Sequence, residues 1–127
     1  MVAMKIPAQY NRLMPYLIVP DAYQFIKFTK DVFGATEQMV VPRSEGIIMH
    51  GEVKIGDSII MLADATEQFV ARPAGMFLYV EDVDQTYEKA LSAGATSTMK
   101  PGKMEYGYSC GFKDAFGNDW WLAETEK

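Results

Sequence analysis

The chain has 127 residues, 49% hydrophobic and 13% aromatic, with a formal charge of −5 at pH 7. That is the size of one ordinary domain with ample material for a core, and it excludes fibrous, collagen-like and disordered classes. The acidity, with no basic cluster beyond the solvated pairs Lys27/Lys30 and Lys100/Lys103, argues against a nucleic-acid partner.

In chain order, the opening MVAMKIPAQYNRLMP lacks the continuous apolar run of a signal peptide. No later stretch approaches the ~18 uninterrupted apolar residues of a membrane span. A cytoplasmic protein with no membrane partner is the expectation. YLIVPD, residues 16–21, reads as a strand (near 15–19) ending at an Asp. The spacing of Phe25, Ile26, Phe28, Val32 and Phe33 then predicts a helix over 21–33, with Asp21 accepting from the free amides of its first turn. Gly34-Ala35-Thr36 stops it, the glycine suiting the left-handed position just past a helix end. Strands are predicted near 36–42, 47–54 and 58–63, the last two joined by a tight turn at Gly56-Asp57. In GIIMHGEVKIGD, Met49, Val53 and Ile55 share the phase suited to covering a helix, which leaves His50 and Glu52 on the other face.

The segment 64–75 reads as a linker ending in Pro and Gly. After it a strand near 76–81 carries FLYVED (77–82), and a helix over 82–93 is marked by Val83, Tyr87, Ala90 and Leu91 and capped by Asp82. It meets Gly94-Ala95-Thr96, and strands follow near 96–101, 106–113 and 118–124. In YGYSCGFK the helix-facing phase holds Tyr106, Tyr108, Cys110 and Phe112; Lys113 falls on the other phase. Cys110 is the only cysteine, which excludes an intrachain disulfide and, having no visible base, reads as a buried structural thiol. FGNDWWLAE, residues 116–124, holds both tryptophans, side by side on a strand and therefore pointing to opposite faces.

These elements repeat. YLIVPD matches FLYVED, the two Gly-Ala-Thr stops match each other, and IGDSIIML (55–62) matches FGNDWWLA (116–123), all at offsets of 60 or 61. The chain is therefore a duplication: repeat one about 13–63, the linker 64–75, and repeat two about 76–125. Each half is strand–helix–three strands, and the halves are expected to pair into one domain.

A tandem βαβββ repeat carrying MPYLIVPDA, VFGATE, IIMHGEVKIGDSIIML, LYVEDVD and DAFGNDWWLA resembles the vicinal oxygen chelate superfamily. The resemblance is nearest to its PhnB-type, glyoxalase/bleomycin-resistance-like branch. It implies an α+β fold in which two modules form an eight-stranded mixed sheet curled around a cavity, with one helix per module outside. It also implies a homodimer, in some relatives formed by exchanging halves. Metal-using members place His or Glu at the first and last strand of each half. Carried over, those positions fall on Pro15 (Met14 one residue earlier), Ile60, Met76 and Trp121. None is a useful ligand for Mg²⁺, Mn²⁺, Zn²⁺ or Fe²⁺.

The expected function is thus metal-free binding of a small organic ligand, with no cofactor and no metal. Trp121, Met76, His50, Ile60 and Lys113 are the expected ligand contacts, Trp120 facing the core. Lys113 is read as the repeat-mate of Glu52. The alternative is a lyase- or isomerase-type enzyme using His50 and Glu52 for acid–base work, with or without a divalent metal. Two ligands on one strand are too few to hold a metal alone.

Overall fold

The computed structural model describes residues 4–125. It has eight strands and two helices among these residues, in the predicted order: β1 (Tyr16–Val19), α1 (Ala22–Phe33), β2 (Thr36–Ser44), β3 (Ile47–Ile55), β4 (Ser58–Asp64), then β5 (Gly75–Val80), α2 (Val83–Ser92), β6 (Thr96–Met104), β7 (Gly107–Lys113) and β8 (Asp119–Glu124). Both halves have one topology. Sheet one runs β1-β4-β3-β2 and sheet two β5-β8-β7-β6; β1/β4 and β5/β8 are parallel and the remaining pairs antiparallel. The α+β class and the duplicated module are as the sequence predicts. The eight strands, however, form two separate four-stranded sheets that do not close into a barrel.

Each helix starts where its sequence says. The Asp21 and Asp82 carboxylates accept from the Gln24 and Gln85 amides, satisfying donors that have no partner within the helix. A second acid reinforces each start from the last strand of the same module. Asp64 accepts from the Ala22 amide, and Glu124 accepts from the Val83 amide. Gly34 ends α1 in the left-handed conformation at φ 68°, and Gly94 holds φ 97° after α2.

One core serves both modules, and it lies on the helix-bearing faces of the sheets. Phe28 and Phe33 of α1 reach across to module two. The Phe33 ring centroid is 4.6 Å from that of Trp120, and Phe28 lies 6.3 Å from Phe112 and from Phe116. Trp120 is fully buried there. Its indole N–H donates to Asp114 Oδ2, and Asp114 also accepts from the Phe116 and Asn118 amides and the Asn118 side chain. Asn118 Oδ1 in turn accepts from the Ala74 amide, tying the linker to this turn.

With the core on the helix side, both open sheet faces look away from it. The two open faces belong to separate sheets and carry exposed side chains, Tyr16 and Met49 on one and Phe77 and Trp121 on the other. An N-terminal segment crosses part of sheet one: Asn11 Oδ1 accepts from the Ile59 amide, and the Pro15 carbonyl from the Met61 amide. No helix of the described residues is long and apolar enough to cross a membrane.

Candidate functional site

On the open face of sheet two, β5 and β8 present a row of rings. Trp121 is 41% exposed while its neighbour Trp120 is 1% exposed, the two-faced disposition a strand imposes. The Trp121 indole lies against Gly75, where a Cβ would sit 3.1 Å from the ring, so the glycine leaves it room. Phe77 stands beside it, in edge contact with Tyr79 at 5.4 Å and with Tyr106 at 6.1 Å, all three exposed. Four exposed aromatics on one face are an uncommon surface for a lone domain.

The open face of sheet one is polar. Glu52 is 1% exposed and accepts three hydrogen bonds: from the Tyr10 hydroxyl, from Gln38 Nε2 and from His50 Nε2, at 2.8 to 2.9 Å. Burial pushes its pKa up, but those hydrogen bonds and the nearby imidazole outweigh it, so the carboxyl titrates below its usual range and is ionised at neutral pH. The other ring nitrogen of His50, Nδ1, lies 2.9 Å from the Tyr16 hydroxyl, and the two rings are 5.5 Å apart. Tyr16 is held above its ordinary phenol value by burial and by Glu52, with Arg43 pulling the other way.

Bulges aim several of these groups. Between Glu37 and Met39 strand β2 gains a residue against β3, and the extra residue is Gln38. A second extra residue, Met49, sits on β3 opposite the step from Val41 to Pro42, where proline offers no amide to the ladder. A third, Arg43, sits between Pro42 and Ser44. Each re-aims its side chain, as bulges do.

The parallel pairs identify the pseudo-symmetric corners of the fold. Tyr16 pairs with Met61 in module one, and Phe77 with Trp121 in module two. The sequence reading carries the family's ligand positions to Pro15, Ile60 and Met76, each the chain neighbour of one of these residues. Ile60 and Met76 pack on the helix side with the core, Ile60 opposite Val53 and Met76 beside Trp120, because a one-residue slip turns a strand over. Trp121 is correctly placed on the open face. Lys113 lies at the end of β7, ion-paired with Asp119 at 3.4 Å, and is the structural counterpart of Lys54; the counterpart of Glu52 is Gly111. The turn after β7 is one residue longer than that after β3, which shifts the offset. Met49, assigned by alternation to the helix side, is exposed instead, since it is the bulged residue. His50 and Glu52 share the open face, as expected. Tyr10, Tyr16, Gln38 and Arg43 were not anticipated; only the Pro42 interruption in β2 hinted at irregular pairing.

A divalent cation at the corners would find Tyr16, Met61, Phe77 and Trp121, a phenol, a thioether, a phenyl ring and an indole whose nitrogen has no free lone pair. That set does not fit Mg²⁺, Mn²⁺, Zn²⁺ or Fe²⁺. No group of three His, Cys, Asp or Glu with metal-holding geometry occurs among the described residues. Cys110 is buried in the core and its thiol is pushed up to about 11, so it stays protonated.

The sequence profile of the Glyoxalase/Bleomycin resistance protein/Dioxygenase superfamily matches residues 9–122. The chain belongs to that superfamily. An uncharacterized protein of Mycobacterium bovis is 32% identical over 124 residues, covering 88% of this chain and 82% of that protein. The PhnB protein of Bacillus cereus superposes with a TM-score of 0.74 at 16% identity, over 91% of this chain and 100% of its own. TnmS3, an antibiotic binding protein from a Streptomyces species, superposes with a TM-score of 0.72 at 20% identity, over 98% of this chain and 100% of its own. The structural matches establish the shared fold.

Proposed function

We propose that this superfamily member is a metal-free binding protein for a small organic molecule carrying an aromatic or other flat apolar group, its pocket completed by a second copy of the chain. The observation that carries the reading is the corner set: where a cation would need oxygen and nitrogen donors, the open faces offer Tyr16, Met61, Phe77 and Trp121. An apolar, ring-lined surface with a few polar groups is the usual composition of a small-molecule site. An antibiotic binding protein of the same fold supports the class. The N-terminal segment crosses only part of sheet one's open face, and on sheet two Phe77, Tyr79 and Tyr106 are more than half exposed. A two-fold dimer that lays sheet one of one copy over sheet two of the other would cover both faces and close two equivalent pockets.

The test is a panel of aromatic natural products titrated into protein stripped of metal with EDTA, following the two indole N–H resonances. The expected result is a saturable shift of the Trp121 signal with Trp120 unmoved. Binding that appears only after Zn²⁺, Mn²⁺, Ni²⁺ or Fe²⁺ is restored, or hits that leave Trp121 untouched, would overturn the reading.

A further inference from the structure

At the end of sheet one's open face, β1, the bulged part of β3 and the start of the linker enclose a pocket of about 310 Å³. Its apolar walls are Ile18, Met49, Ala63 and Phe69, and its polar groups include Tyr16 and Arg43. We propose that this pocket is a subsite for a small aromatic carboxylate, read by the Arg43 guanidinium and by the Tyr16 hydroxyl, whose hydrogen is directed by the His50–Glu52 pair. The proposal rests on the reading of the open faces as ligand surfaces and names the chemical class of one end of the ligand.

Arg43 supplies the charge. It makes no ion pair with the described residues, whereas Lys27, Lys30 and Lys113 are each paired. Its planar fork matches a carboxylate. Asp64 also borders the pocket, but its carboxylate is committed to the Ala22 and Ile48 amides at 3.0 and 2.7 Å. The volume suits one or two rings, and Phe69 and Met49 furnish the faces to stack on.

Tyr16 supplies the selectivity, through a chain of hydrogen bonds. Ionised Glu52 can only accept, so His50 Nε2 carries a hydrogen toward it. In the neutral imidazole Nδ1 is then the lone-pair nitrogen, and the Tyr16 hydroxyl donates to it. In that state Tyr16 shows the pocket only lone pairs. A carboxylate needs the hydrogen instead. It obtains it when His50 takes up a proton: Nδ1–H donates to the Tyr16 oxygen, and the phenol hydrogen turns to the ligand. Carboxylate binding is thereby coupled to uptake of one proton by His50 and strengthens as pH falls. The titratable or charged groups around this chain are Tyr10 from the N-terminal segment, Tyr16 from β1, Arg43 from β2, Glu52 from β3 and Asp64 from β4.

Benzoate and its neutral isostere benzamide are the probes, titrated into the full chain by calorimetry in two buffers of different ionisation enthalpy, with NMR to locate the site. Benzoate is expected to perturb Tyr16, Met49 and Phe69 and to bind at least tenfold tighter than benzamide. Binding should take up a proton, and Arg43→Gln should weaken it at least tenfold. Tyr16→Phe and His50→Gln should abolish the proton uptake while leaving the melting temperature within a few degrees. Equal affinity for the two probes, full benzoate affinity in Arg43→Gln, proton uptake surviving in His50→Gln, or no benzoate binding would each overturn the proposal. Benzoate bound here with every aromatic product silent at Trp121 would sink the dimer-pocket reading and leave this subsite standing.

Discussion

The two modules share a backbone and disagree about one face. Their frameworks agree closely: an Asp caps each helix, a last-strand acid supports that cap, and an extra residue, Gln38 or Thr98, bulges from the second strand of each. Their open faces share almost nothing. Opposite Met61 in module one stands buried, ionised Glu52, with His50, Tyr10, Tyr16 and Gln38 around it. Opposite Trp121 in module two stands Gly111, where a Cβ would come within 2.9 Å of Thr98 Oγ1, so a side chain there would have to displace Thr98. The two halves share what folds the chain and differ on their open faces. One copy became a hydrogen-bonding wall, the other an aromatic wall.

Substitutions can sharpen or break that contrast. The largest effect is expected at Trp120, which the framework uses. Trp120→Ala removes a buried indole packed on Phe33 and should cost about 4 kcal/mol in urea unfolding. Asp114→Ala, which strands several buried donors in module two's turn, should cost about 3 kcal/mol by the same measurement. Glu52→Gln should cost about 2 kcal/mol at neutral pH, since it disturbs the one buried carboxylate of the polar wall.

The pH dependence of that third variant has a definite sign. A carboxyl whose folded value lies below its unfolded value stabilises the fold above the unfolded value, and the contribution fades as pH falls through the folded one. Wild type should therefore lose stability more steeply than Glu52→Gln as pH drops below about 4.5, the ordinary carboxyl value. Parallel acid limbs would mean that the polar wall carries no such charge. The smallest effect on folding is expected at Trp121. Trp121→Ala should change unfolding by less than about 1 kcal/mol yet abolish ligand shifts. A large loss of stability there would show that the aromatic face belongs to the framework after all.

The fold and its two similar modules were legible because they depend on patterns with redundancy. Asp21 and Asp82, two Gly-Ala-Thr stops and two apolar helix faces all voted for one answer. The opposed directions of Trp120 and Trp121 followed from strand geometry alone. Ile60 and Met76 turn to the helix side because a strand's facing reverses with a step of one residue, and the longer turn at Asp114–Asn118 changes the offset between β4 and β8. Arg43 and Met49 were illegible for a related reason. Bulges break the alternation by which a sequence announces its faces, and Pro42 marked the disturbance without saying which neighbour would be turned.

The claim on which the rest depends is that the polar wall of one copy meets the aromatic wall of another. The direct measurement is an isotope-filtered NOE experiment on an equal mixture of unlabelled protein and protein carrying ¹³C-methyl methionine. The account predicts intermolecular contacts from the Met61 and Met49 methyls of one copy to the Trp121 and Phe77 rings of the other. A chain that sediments as a monomer, or a dimer in which those methyls see no aromatic ring across the interface, would contradict it.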